Sequence, residues 1–189
     1  MTKYIFLLLL LLPALSFAQN ELEWSADYEL KVEDYLAKAP NTGAMQTAMG
    51  SFYVEYEMGG INLITTRNLN KNVSCYFQKD ASYFDKGEAP GTIRLLRYQQ
   101  LIFNLYELQA RKLRQKFFEE RSRLLTKGPA TLYKEVAAEH ANILSDVESE
   151  TFHGQSSEVI TRWLNWTDEE LAKLEDYCKT CKPTKKKNK

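Results

Sequence analysis

The side chains able to do chemistry are few and poorly placed for it. A hydrolytic metal centre needs several nitrogen or carboxylate donors converging on one ion, with a further group to activate the attacking water. The chain has two histidines, His140 and His153. His140 falls on the apolar side of a helical pattern, which marks it as a core or partly buried imidazole. His153 sits in the loop Thr151-Phe152-His153-Gly154, where its plain role is a hydrogen bond that holds the loop. Cys178-Lys179-Thr180-Cys181 invites a redox reading. A thioredoxin-type pair opens a helix in a βαβ context, however, whereas this pair follows a helix near the end of the chain. A structural disulfide between Cys178 and Cys181 is therefore expected. Cys75 leaves the count odd, and two arrangements stay open for it: buried and unpaired, or bridged to one member of the pair. Phosphate-binding loops, dinucleotide fingerprints, nucleophile elbows and calcium loops are absent from the sequence.

The elements that must position these residues change period midway along the chain. Phe52, Val54, Tyr56 and Met58 share one face of an alternating segment, and Val73, Cys75 and Phe77 share one face of another. Between them Gly59-Gly60 reads as a turn, residues 61–66 as a strand and residues 68–72 as a polar turn. The first half thus predicts an antiparallel meander, with residues 22–24 as a further strand. From Thr92 the spacing becomes helical. Leu95, Ile102, Tyr106, Leu113 and Phe117 predict a long central helix of about 30 residues. Pro129, suited to a first helical turn where its missing donor costs little, opens a helix that aligns Tyr133, Val136, Ala137, His140, Leu144 and Val147. Val159, Ile160, Trp163 and Leu164 predict another. Thr167-Asp168-Glu169-Glu170 reads as a capping box opening a short last helix that ends near Tyr177. Strands first and helices after give an α+β domain.

Ahead of this domain, residues 1–18 have the form of a cleaved secretory signal peptide: Lys3, an apolar run from Ile5 to Leu15, then Ser16-Phe17-Ala18. The run is shorter than the roughly 20 residues a helical span requires, so no stable membrane span is expected after cleavage before Gln19. About 170 residues remain, enough for one domain with a sizeable core over 19–177. Residues 178–189 form a locally basic tail, read as a solvated end. Basic and acidic residues number 25 each, and losing Lys3 leaves the mature chain one unit negative. That balance offers no field for nucleic acid.

The stretch Leu95-Leu96-Arg97-Tyr98-Gln99-Gln100-Leu101-Ile102-Phe103, continuing to Glu107, Ala110 and Arg111, resembles the active-site helix of a bacterial family of predicted secreted zinc-dependent proteases. In that family the helix reads like L-L-x-H-E-Q-x-H-F followed by E-x-x-A-R. Tyr98, Gln99 and Ile102 then stand where the family has His, Glu and His. Trp24 and the segment from Leu30 to Tyr35 are similar to the family's opening W and L-x-W-x-D-F, with Val32 for Trp and Tyr35 for Phe. Thr151, His153 and Gly154, with Trp163 downstream, resemble its T-x-H-G segment.

The resemblance implies a zincin-like fold with a degenerate site. Gln99 has no carboxylate to act as general base and Ile102 has no donor atom, so neither catalysis nor a bound metal or other cofactor is expected at this helix. Glu107, Arg111 and His153 are the retained family-like residues. Glu107 is expected to pair with Arg111 one turn on, and the His153 loop to lie near the old active site. The implied function is that of a pseudoenzyme: an exported, non-catalytic zincin-like protein, periplasmic or extracellular, holding a peptide or protein in the old active-site cleft in a binding or regulatory role. Two alternatives differ in kind. One is an active metal-dependent hydrolase with relocated ligands, drawn from His153, Glu107 and a neighbouring carboxylate. The other is a structural envelope protein, which needs no sizeable cleft beside the central helix.

Overall fold

The computed structural model describes residues 20–40, 47–85 and 89–183. The expected signal peptide and its cleavage point, and the last six residues of the basic tail, lie outside the described residues. Three strands form an antiparallel sheet: β1 (Glu21–Glu23), β2 (Ala48–Tyr56) and β3 (Val73–Phe84), in the order β1-β3-β2. β3 is central, so the first strand of the chain pairs with the last. Phe52 lies opposite Phe77, Val54 opposite Cys75 and Tyr56 opposite Val73. Phe52, Val54, Val73, Cys75 and Phe77 are buried, as the period of two requires for a sheet with one wet face.

β2 is irregular at Gly50, where the register against β3 shifts between Met49 and Ser51. A Cβ at Gly50 would stand 2.4 Å from the Phe52 ring and 2.6 Å from Gln99 Oε1. Glycine is therefore what lets the central helix approach the strand at its bulge. Ser82, fully buried, covers the interrupted ladder: its hydroxyl accepts from Ser51 N at 2.8 Å and donates to Gln78 O at 2.5 Å.

The helices are α1 (Gly60–Thr65), α2 (Ala89–Glu119), α3 (Arg121–Lys127), α4 (Pro129–Glu150) and α5 (Ser157–Lys173), with a closing 3-10 turn at Glu175–Tyr177. Two expectations are corrected. Residues 61–66 do not form a strand, because β2 and β3 already pair up to Tyr56 and Val73 and β1 holds the other edge of β3. The segment coils as α1 instead, with Ile61 and Ile64 on its outer side, 78% and 77% exposed. Nor does a helix begin at Thr167. Its hydroxyl donates to Trp163 O at 2.8 Å, one turn back, and the helix runs through it without a break. The N-cap is Ser156, whose side chain accepts from Val159 N. Gly128 and Pro129 behave as expected: Gly128, at φ 79°, ends α3, and Pro129 opens α4.

α2, 31 residues long, is the wall shared by two cores. Phe103, Ala110, Leu113 and Phe117 pack against the sheet with Val73, Cys75 and Phe77. On its other side Tyr98, Leu101, Leu105 and Leu108 meet Val147 of α4 and Ile160 and Leu171 of α5. A helix buried this far around is apolar on several faces, which explains why its sequence shows no single clean stripe.

Gly50→Ala is expected to lower the unfolding free energy by about 1–3 kcal/mol through overpacking at the bulge. Gly59→Ala, where an added Cβ meets nothing within 4 Å, is expected to stay within about 0.5 kcal/mol of the parent protein in the same urea titration.

Candidate functional site

The three helix positions singled out in the sequence are built into packing. Tyr98 is buried against the loop after α4: a Cβ on Gly154 would lie 2.7 Å from its ring. Burial pushes the Tyr98 phenol up to about 12, and Glu148 adds to the shift. The phenolate that a metal would need is thereby disfavoured. Gln99, also buried, donates from Nε2 to Ala48 O of β2 at 3.3 Å. Ile102 packs against both cores.

The loop beside Tyr98 turns through two left-handed residues, Phe152 (φ 51°) and His153 (φ 53°), and then Gly154 (φ 84°). It is held by Thr151, whose hydroxyl donates to Val147 O at 2.6 Å and accepts from Gly154 N at 3.1 Å. His153 contributes its backbone N–H to Glu148 O at 2.8 Å, while its imidazole is exposed. Arg94 closes the loop from α2, donating to Gly154 O at 3.2 Å and to Gln155 Oε1 at 2.9 Å.

Glu107 pairs with Arg111 at 3.1 Å, as the spacing predicted. It also binds Arg114 at 2.8 Å, which the sequence did not single out. All three are buried. Arg114, 1% exposed, donates to Val73 O at 2.9 Å from Nη2 and to Tyr177 O at 3.1 Å from Nη1. Arg111 donates from Nη1 to Leu171 O at 2.7 Å, and its guanidinium carbon lies 5.5 Å from the centre of the Trp24 ring.

His140 occupies the apolar face of α4, edge-on to Tyr106 with ring centroids 4.6 Å apart. Its Nε2 is buried without a hydrogen-bond partner among the described residues. Burial, reinforced by Lys112, lowers the imidazole to about 4. Cys178 and Cys181 form the expected disulfide. Its turn is clasped by Asn70 Nδ2, which donates to the carbonyls of Cys178 and Cys181 at 3.0 and 3.2 Å. Cys75 is buried and free, which removes the bridged arrangement. Among the described residues no group of three or more His, Cys, Asp or Glu side chains is placed to hold a metal ion.

A substantial opening lies elsewhere on α2. A cleft of about 710 Å³ is lined by Trp24, Leu30, Leu96, Gln100, Asn104 and Arg111, with Leu164, Asp168 and Leu171 of α5 on the far wall. Tyr98, Gln99 and Ile102 do not line it. The cleft floor is a polar relay. Leu30 N donates to Gln100 Oε1 at 2.8 Å, Gln100 Nε2 donates to Asn104 Oδ1 at 2.9 Å, and Trp24 Nε1 donates to the same oxygen at 3.0 Å. Sequence reasoning missed these residues although a signal existed. Gln100, Asn104, Glu107, Arg111 and Arg114 recur at spacings of four, three, four and three, a polar stripe along a helix otherwise rich in leucine and phenylalanine.

No family model, curated protein or solved structure matches the chain.

Arg114→Met strands two backbone carbonyls and is expected to cost about 3–5 kcal/mol in chemical unfolding, as removal of one partner from a buried ion cluster does. His140 is neutral when folded but regains its ordinary basicity when unfolded. Stability should therefore hold above about pH 6.5 and fall as pH drops towards 4, by about 2 kcal/mol at pH 5. His140→Phe is expected to remove that component from unfolding curves measured at pH 7.5 and pH 5.

Proposed function

We propose that this chain is an exported, non-catalytic binding protein of the bacterial envelope or exterior, a zincin-like scaffold that offers a ligand cleft and has no hydrolytic centre. The observation that carries the reading is the occupation of the three helix positions where the resemblance puts metal ligands and base. Gln99 is spent on Ala48 O, Tyr98 is buried against Gly154, and Ile102 fills space between two cores. Chemistry there would require these side chains to leave the core, each at the cost of its buried area and contacts.

The alternative of relocated ligands draws on Glu107 and His153. Glu107 is held between two guanidinium groups in the interior, and His153 stands exposed on a loop. Freeing Glu107 would leave two buried cations without their shared counter-charge. The purely structural alternative calls for no sizeable cleft beside the central helix. An opening of about 710 Å³ lies within the range that takes small ligands, and this supports a binding role.

The test is the zinc content of the processed protein after incubation with excess zinc and desalting, read by elemental mass spectrometry. A small fraction of one equivalent is expected. One full equivalent, lost in His153→Ala, would replace this reading with relocated metal chemistry.

A further inference from the structure

The floor of the cleft specifies a ligand class, an inference that rests on the binding role proposed above. Glu107 is shared by Arg111 and Arg114, so the buried cluster sets two positive charges against one negative. The carbonyls of Val73, Leu171 and Tyr177 supply dipoles but no charge. A buried cation lacking a full counter-charge attracts an anion wherever the cluster is open. Arg114 is sealed, whereas Arg111 lines the cleft. Its Nε and Nη1 are committed to Glu107 and Leu171 O. Its Nη2 donates to no atom among the described residues and retains solvent exposure on a side chain that lines the cleft.

A second donor is oriented by the relay. Asn104 Oδ1 accepts from both Trp24 Nε1 and Gln100 Nε2. Turning the amide over would set donor against donor, so Nδ2 must point away from both. This nitrogen too donates to nothing among the described residues and retains solvent access. Asn104 and Arg111 lie on one face of α2, two turns apart, with the Trp24 indole between them: its Nε1 meets Asn104 and its ring faces the Arg111 guanidinium. Leu96, Leu164 and Leu171 make the adjacent walls apolar; Glu29 and Asp168 are the acidic lining residues, and Arg97, exposed and donating from Nη2 to Thr161 Oγ1 at 3.0 Å, is the second basic one beside Arg111.

We propose that the cleft binds a small amphipathic monocarboxylate. The acid group sits on Arg111 Nη2 and the aliphatic body lies along Leu96, Leu164 and Leu171. Asn104 Nδ2 donates to a carbonyl further along the ligand. A charge-assisted bond to the Arg111 guanidinium fixes the acid end. A free aliphatic acid and the C-terminal residue of a short apolar peptide share this chemistry; only the peptide uses the Asn104 donor.

The experiment is calorimetric titration of the processed protein, with tryptophan fluorescence in parallel, against N-acetyl-leucyl-leucine, octanoate, the amide of each, and octylamine. Both acids are expected to bind at least about tenfold more tightly than their amides. The stronger of the two acids identifies the source. Asn104→Asp keeps an acceptor for Trp24 and Gln100 while exchanging the outward donor for a negative charge. It should unfold at the parent temperature and bind either acid at least about tenfold more weakly. Acids and amides of equal affinity, or an Asn104→Asp protein that binds like the parent, would overturn the ligand class and leave a binding role standing. Failure of every probe, octylamine included, would remove the binding role as well.

Discussion

The structure is organised around one buried ion cluster. Arg114 reaches from the last turns of α2 to the first residue of β3 through Val73 O, to the closing turn through Tyr177 O, and to Glu107 on its own helix. Arg111 extends the cluster to the end of α5 through Leu171 O. The central helix, the start of β3 and the C-terminal stretch from Leu171 to Tyr177 thus meet at two guanidinium groups. Hydrophobic burial supplies most of the driving force but has no direction. The planar, forked guanidinium groups supply the directional contacts that set how the sheet, the central helix and the C-terminal turn lie on one another.

That arrangement explains why α2 can be enclosed on both sides and still carry polar residues. Its leucines and phenylalanines feed two cores. The stripe from Gln100 to Arg114 runs along the seam between them, where the partners are backbone carbonyls, one backbone N–H and one indole. At one end the stripe is closed by the C-terminal turn. At the other it opens, because the segment after β1 arches over it without filling it, and that gap is the cleft. Interior order and surface opening are therefore two ends of one polar row.

Much of the fold was legible in the residues. The alternation of Phe52 and Val54, and of Val73, Cys75 and Phe77, located two strands and their buried faces. Spacing from Leu95 to Phe117 located the long helix, and Gly128-Pro129 located a helix boundary. Glu107 with Arg111, and Cys178 with Cys181, were local enough in sequence to be paired without coordinates. Other features depended on what the chain does at a distance. Residues 61–66 read as a strand from their alternation, but no edge of β3 was left for them. Thr167 offered a cap and instead bonded back within a helix that packing had already extended. The cleft is assembled from residues 24–30, α2 and α5, so no single window contains it. Tyr98, Gln99 and Ile102 mark one face of α2 and the polar stripe from Gln100 to Arg114 marks another.

The wall of the cleft contributed by residues 25–29 is thin. Four of its five residues are exposed, and among the described residues it is tied down through Trp24 on one side and through Tyr28 and Leu30 on the other. On one side Trp24 N bonds Cys75 O at 2.9 Å beside the three-residue β1. On the other, Asp34 gathers Lys31 N, the Tyr28 hydroxyl and Lys79 Nζ within about 3 Å. Such a strap can open locally without unfolding either core, so its amides are expected to exchange with solvent more readily than those of α2. Anything lodged beneath it also bridges it to α2 and α5. Under the proposed binding role, occupancy of the cleft and ordering of the strap would form a single equilibrium, in which the N-terminal segment of the domain is tightened by what it covers.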